Sequence, residues 1–194
     1  IRDKDISFIS AKKMDELPSI SDAYLLIENG VINDFGKMSE IPNFGNIETI
    51  NAKDKIVLPA WCDSHSHSVH TGNRSDEYMQ RIKGASYQQI AENGGGILKS
   101  SSQINAVSSD DLYTESKNRI LSLIKQGTGS LEIKSGYGLN YESELKMLEV
   151  ISRLKNSLPI EIKSTFLGAH AIPKNYKKDD YLKLVIDKML PDFI

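Results

Sequence analysis

Two short segments rich in apolar residues lie near the start of the chain, Ala23 to Glu28 and Val31 to Phe35. Short apolar segments on both sides of a turn signal are typical of paired strands. The dipeptide Asn29–Gly30 between them favours a type I′ turn, in which both central residues have positive φ. The pattern therefore predicts a β-hairpin. A lone hairpin is marginal in water, so we expect the hairpin, together with further strands at residues 6–10 and 47–50, to pair with other structure, which can lie outside the chain.

From Ile56 onward, apolar strands alternate with amphipathic helices. A first strand is predicted to start at Ile56, with His65 and His67 at its end. The later strands are predicted over 131–134 and 160–166, and the helices over 86–93, 110–126, 141–156 and 181–189. The apolar stripe of the helix over 141–156 consists of Leu145, Leu148, Ile151 and Leu154. Strands that alternate with helices indicate an α/β fold, in which a parallel sheet is covered by helices.

Composition narrows the class of partner. The 194 residues carry a net charge of -2 that comes from interspersed acidic and basic residues, so we expect no nucleic-acid or membrane partner and a small molecule as the default ligand. No leader or membrane-spanning stretch is visible in the chain, which we expect to be cytoplasmic. Whether the protein forms a homodimer is left open by the sequence. Cys62 is the only cysteine and is interpreted as a small buried hydrophobic residue.

Two histidines stand two positions apart at the end of the predicted first strand, His65 and His67. Side chains with this spacing leave the same face of a strand, so both imidazoles can reach one metal ion. A pair of surface histidines is the simpler alternative. However, Tyr137 and His170 follow the next two predicted strands, and the carboxyl ends of parallel strands share one edge. This joint placement favours a metal site.

The segment from Leu58 to His67, with Pro59 and Asp63 ahead of the two histidines, resembles the first-strand signature of the amidohydrolase superfamily. Ala60 stands where the superfamily usually has Gly, and Ser66 stands where Thr is common. Neither difference removes a ligand.

More specific motifs follow and are similar to those of the imidazolonepropionase family. They are Asn73–Arg74 with Arg81–Tyr87, Gly94–Leu98, Glu132–Leu139 and Phe166–Pro173. The resemblance covers essentially the whole chain. It implies part of a small β-sandwich in residues 1–57 and the first part of a TIM-type (β/α) barrel of the metal-dependent amidohydrolase kind in residues 58–194.

The resemblance also implies a site. His65 and His67 would be two ligands of a single zinc or iron ion, and Arg74, Tyr137 and His170 would contact the substrate, 4-imidazolone-5-propanoate. The implied reaction of histidine degradation opens the ring by hydrolysis and gives N-formimidoyl-L-glutamate. In that family the remaining ligands, a His and an Asp, and the proton-transferring residues lie beyond the third barrel strand. The catalytic residues therefore stay unassigned, and we expect the chain to be the N-terminal portion of a longer protein.

Two alternatives stay open at this point. Another amidohydrolase, such as a deaminase of heterocyclic amines, would share His65 and His67 but would not need Arg74 and Tyr137 for a carboxylate. A non-catalytic fragment would keep the motifs without a complete metal shell, because two imidazoles do not complete the coordination of a catalytic ion.

The isolated polypeptide is predicted to be unstable or prone to aggregation, and inactive. A partial barrel leaves unpaired backbone groups at the edges of its sheet, and exposed edges associate with one another. Size-exclusion chromatography, thermal unfolding and metal analysis of the 194-residue polypeptide test this. A soluble monomer that unfolds cooperatively and binds metal tightly and stoichiometrically would contradict it.

Overall fold

The computed structural model describes Lys12 and residues 19–193 of the chain. The chain divides into two compact units, Ile1–Val57 and Leu58–Ile194. The fold is mixed α/β, with a two-stranded antiparallel sheet in the first unit and a three-stranded parallel sheet in the second. The described residues form no closed barrel. Among them, no helix is long and apolar enough to cross a membrane.

The first unit contains the predicted hairpin. β1 (Ala23–Glu28) pairs antiparallel with β2 (Val31–Lys37). The turn residues Asn29 and Gly30 have φ values of 52° and 77°, as a type I′ turn requires. The hairpin prediction is therefore confirmed.

The other strands predicted for this unit are not confirmed. Residues 47–50 form no strand, because no described strand runs beside them to complete a ladder, and Ile50 is 87% exposed. Residues 6–10 lie outside the described part of the chain.

The second unit contains three parallel strands and the helices that connect and follow them. The strands are β3 (Trp61–Ser66), β4 (Thr128–Lys134) and β5 (Glu161–Thr165). The helices are α1 (Ser75–Ile82), α2 (Tyr87–Glu92), α3 (Ile97–Ala106), α4 (Ser109–Lys125), α5 (Tyr141–Ser157), α6 (Lys178–Leu184) and α7 (Leu190–Phe193), with a π-helical segment at Val185–Met189 between the last two. The strands lie in the order β3–β4–β5, so that spatial order follows chain order.

Local sequence signals account for several helix ends. Ser86 begins α2 with a capping box that involves Gln89, as expected from a serine followed three residues later by glutamine. Asn140 begins α5 by accepting a hydrogen bond from the backbone N–H of Ser143. Gly127 follows α4 with a φ of 95°, the left-handed conformation that favours glycine after a helix.

The first strand starts later than predicted. β3 begins at Trp61 and not at Ile56, because its partner β4 begins at Thr128 and the two pair from that point. The preceding apolar residues remain exposed, Ile56 at 86%. Cys62 is also exposed, so the interpretation as a buried hydrophobic residue is wrong. The connecting helices α4 and α5 pack against β4 and β5, and the side chain of Cys62 on β3 stays uncovered.

The core lies between the parallel sheet and the helices packed on one of its faces. Its main members are Ile104, Leu112, Ile120, Leu131, Ile133, Met147, Val150, Ile151, Leu154 and Ile162. Alternate residues of β4, such as Glu132 and Lys134, avoid this core and form an ion pair with each other. The sheet therefore has one apolar face and one polar face.

Two features of the helices differ from the prediction. The buried face of α5 includes Glu144, Met147 and Val150, whereas Leu145 and Leu148 are only half-buried. In addition, α1 and α3 lie in the connection after the first strand, where only the helix over 86–93 was predicted. The apolar residues of α1 stay exposed, and α3 buries two serines, Ser100 and Ser101.

Candidate functional site

The residues singled out in the sequence lie at the carboxyl ends of the three parallel strands. His65 is the residue before the last in β3, and His67 follows the strand directly. Tyr137 lies in the loop after β4, and His170 lies in the loop after β5. Because parallel strands point their carboxyl ends to one edge, side chains far apart in sequence meet there.

Four of these side chains form one cluster of rings. The ring centroid of His67 lies 5.8 Å from that of His65, 4.7 Å from that of Tyr137 and 5.0 Å from that of His170. The rings of His67, Tyr137 and His170 are within 18° of parallel to one another. The ring of His65 is inclined by 62° to that of His67. The structure thus brings together the residues that the sequence predicted to share a site.

His67 is the most strongly perturbed member of the cluster. Burial, followed by the charges of His170 and His65, lowers its pKa to about 4. Its imidazole is therefore neutral near pH 7, and a neutral imidazole is the form that donates a lone pair to a metal. Its Nδ1 atom is buried and has no hydrogen-bond partner among the described residues. A buried polar atom without a partner is costly unless something else binds it, so His67 fits a ligand role.

Arg74 is held at the edge of the cluster by a buried serine. Its Nε and Nη2 atoms donate hydrogen bonds of 3.2 and 3.0 Å to Ser100 Oγ. Its Cζ atom lies 5.8 Å from the ring centroid of Tyr137. No carboxylate among the described residues forms an ion pair with it. Because Ser100 uses one side of the guanidinium, the Nη1 and Nη2 end remains to receive an anion in a two-point contact.

The described part of the chain does not provide a complete metal shell. It contains no group of three or more His, Cys, Asp or Glu side chains arranged to hold a metal ion. His70, which follows closely in sequence, makes a contact of 3.0 Å between its Nδ1 atom and the carbonyl oxygen of His67. This contact engages the Nδ1 atom of the His70 ring. The site offers the two imidazoles of His65 and His67.

Sequence reasoning missed the residues that support the site. Ser100 orients Arg74, and Arg119 donates hydrogen bonds from Nη1 to the carbonyl oxygens of Ser68 and His70, at 2.6 and 3.2 Å. Glu144 is buried and binds the backbone of the loop that carries Tyr137. A signal for Glu144 was present, because it continues the helical spacing of buried Met147 and Ile151 to a position directly after a glycine-rich loop.

Several known proteins similar to this chain share one name. The chain is 52% identical over 98% of its length to the imidazolonepropionase of Flavobacterium psychrophilum, and 50% identical over 98% of its length to that of Christiangramia forsetii. It is 39% identical over 93% of its length to the imidazolonepropionase of Brevibacillus brevis. The chain covers 47%, 47% and 44% of these relatives, so it spans about half their length. No protein-family model matches the chain.

Proposed function

We propose, from the relationship of this chain over nearly its whole length to the N-terminal portion of imidazolonepropionases, that it forms the first half of an enzyme with that activity. The observation that carries the proposal is the ring cluster of His65, His67, Tyr137 and His170 at one edge of the parallel sheet. These residues come from three different strand ends, as in the active sites of α/β barrels.

The order of the strands supports a barrel. In a barrel each new parallel strand lies beside the previous one, whereas a doubly wound sheet reverses its order at a switch point. The described sheet has the order β3–β4–β5 without reversal. We therefore propose that residues 58–194 are the first part of a TIM-type barrel and that residues 1–57 are part of a small β-sandwich.

The proposed cofactor is one zinc or iron ion. His65 and His67 would hold it, and the remaining ligands would come from later strands. Two observations fit this role: the unpartnered Nδ1 atom of His67 and the lowered pKa that keeps its ring neutral. When bound, the ion would activate water and polarise a carbonyl group.

The proposed substrate is 4-imidazolone-5-propanoate. Its propanoate group would bind the Nη1 and Nη2 end of Arg74, the part of the guanidinium that Ser100 does not use. Tyr137 lies beside Arg74 and can donate its hydroxyl to the same carboxylate. His170 packs on both His67 and Tyr137, so its imidazole adjoins the proposed metal ligand as well as the carboxylate site, which suits it to contact the imidazolone ring.

The proposed reaction is hydrolysis of a cyclic amide. Water adds to the ring carbonyl, the C–N bond breaks, and the released nitrogen takes up a proton, which gives N-formimidoyl-L-glutamate. The general acid and base are expected to come from later strands. A deaminase of heterocyclic amines would also use His65 and His67, but a neutral substrate would leave the Nη1 and Nη2 end of Arg74 without a partner.

Substrate selectivity of the complete gene product tests the proposal. We expect turnover of imidazolonepropanoate with formation of formimidoylglutamate and without release of ammonia. Release of ammonia from neutral heterocyclic amines would indicate a deaminase. Absence of turnover in the metal-loaded protein would indicate a non-catalytic role.

Changing His65→Ala in the complete gene product is expected to remove metal and activity together. Loss of an outer-shell partner already lowers metal affinity about 10- to 100-fold, and loss of a direct ligand should cost at least as much. Metal content by elemental analysis and the rate of ring opening measure the two effects. Cys62→Ser is the control, since Cys62 lies exposed on the same strand. Full metal content with lost activity in His65→Ala would contradict the ligand role.

Replacing Arg74→Gln is expected to raise KM for imidazolonepropanoate about 10- to 100-fold with a smaller fall in kcat. This range corresponds to the roughly 1.5–3 kcal/mol of a hydrogen bond to a charged group. Steady-state kinetics measures both constants. Arg81→Gln is the matched control, because Arg81 is exposed on α1, the helix that Arg74 precedes, and should leave KM unchanged. An unchanged KM in Arg74→Gln would refute carboxylate recognition by this residue.

A further inference from the structure

A buried carboxylate holds the loop that carries Tyr137. Glu144, in the first turns of α5, is fully buried. Its Oε2 atom accepts a hydrogen bond of 2.9 Å from the N–H of Gly136, and its Oε1 atom accepts bonds of 2.7 and 3.1 Å from the N–H groups of Gly138 and Leu139. These donors lie immediately on both sides of Tyr137. The carboxylate therefore fixes the backbone from which the Tyr137 ring projects.

No cation compensates this charge within the described residues, since Glu144 has no ion pair there. A buried charge is costly unless hydrogen bonds satisfy it. The three backbone N–H donors supply these hydrogen bonds, and the dipole at the N-terminal end of α5 interacts favourably with the negative charge. Carboxylate and loop consequently stabilise each other, because neither finds its partners without the other.

The glycines explain why the loop needs such a contact. Gly136 has a φ of 101°, and a Cβ atom there would come within 2.7 Å of the carbonyl oxygen of Leu167. At Gly138 a Cβ atom would come within 2.5 Å of the backbone nitrogen of Glu144. Both positions require glycine, and glycine loses more conformational freedom on ordering than any other residue. The hydrogen bonds to Glu144 offset this entropic cost.

The same arrangement connects the Tyr137 loop to the loop that carries His170. Ser135 Oγ accepts a hydrogen bond of 3.0 Å from the N–H of Leu167. Tyr181 donates its hydroxyl to the carbonyl oxygen of Gly168 at 2.8 Å. Gly136, whose N–H binds Glu144, also lies against this second loop, because a Cβ atom there would come within 2.9 Å of the Cβ atom of His170. Burial, followed by the negative charge of Glu144, raises the pKa of Tyr181. Glu144 thus lies where both ring-bearing loops meet.

We infer that Glu144 is a positioning residue, which sets the orientation of the Tyr137 ring against His67 and His170 through the backbone of residues 136–139. The functional meaning of that orientation rests on the proposed function, whereas the contacts themselves do not. A glutamine cannot replace the glutamate, because its amide has one acceptor oxygen and its NH₂ group would face a backbone N–H.

The decisive experiment introduces Glu144→Gln into the complete gene product labelled with 3-fluorotyrosine. The fluorine resonance of Tyr137, assigned by its loss in Tyr137→Phe, is expected to shift and broaden in Glu144→Gln. Amide hydrogen exchange at residues 136–139 should become about 10- to 100-fold faster, as expected for loss of hydrogen bonds to a charged acceptor. KM for imidazolonepropanoate should rise more than kcat falls.

Glu149→Gln is the matched control, because Glu149 is exposed on the same helix, and it should change none of these quantities. An unaltered Tyr137 resonance in a folded Glu144→Gln protein would overturn the inference. Should that variant fail to fold, exchange in the unmodified protein decides: slow exchange at Gly136, Gly138 and Leu139 supports the inference, and exchange as fast as in an unstructured peptide overturns it. If imidazolonepropanoate is not turned over at all, the proposed function fails while the fluorine and exchange results still decide the positioning role.

Discussion

Parallel pairing of three successive strands is the constraint on which the candidate site depends. β4 pairs with β5 from Ser130 opposite Glu161 to Lys134 opposite Thr165, and β3 ends opposite Ile133 of β4. This register aligns the carboxyl ends of the strands, so the segments that follow them leave the sheet at one edge. His67, Tyr137 and His170 come from three such segments, and their ring centroids lie within 5.6 Å of one another. A slip in register would separate the rings even if each loop kept its own conformation.

Much of this architecture could be predicted from the sequence, because its strongest elements carry local signals. The Asn29–Gly30 turn, the capped helices α2 and α5 and the glycine after α4 each appear in the structure where short-range chemistry indicated them. The start of β3 could not be predicted in this way. The start of β3 depends on where its partner β4 begins, and β4 is distant in the sequence. The apolar run from Ile56 does not indicate where pairing starts.

The residues of the site that could be predicted from the sequence are those whose side chains have distinctive chemistry. His65, His67, Tyr137 and His170 stand out by residue type and by their place at strand ends, whereas Arg74 was singled out by the family resemblance alone. The structure clusters the four rings and places Arg74 beside Tyr137. The supporting residues carry weaker signals. Ser100 lies within a run of three serines, and Glu144 lies on a helix that also has exposed glutamates, so that only its helical spacing from Met147 and Ile151 points to it. Burial distinguishes both residues from solvated neighbours, and burial is decided by the packing of α3 and α5.

In the barrel that we propose, the additional strands that would close the sheet would also complete the site. Among the described strands, β3 and β5 each have a neighbour on one side only, so each leaves backbone donors and acceptors to be paired. The polar sheet face, with the Glu132–Lys134 pair and the unpartnered Glu132 Oε2 atom, likewise needs other groups around it. Additional parallel strands beside β3 and β5 would satisfy both edges and would end at the edge where His65 and His67 stand. The strand pairing that closes the sheet would therefore also bring the remaining ligands to the two histidines, and metal binding would in turn stabilise the closed form over the open one.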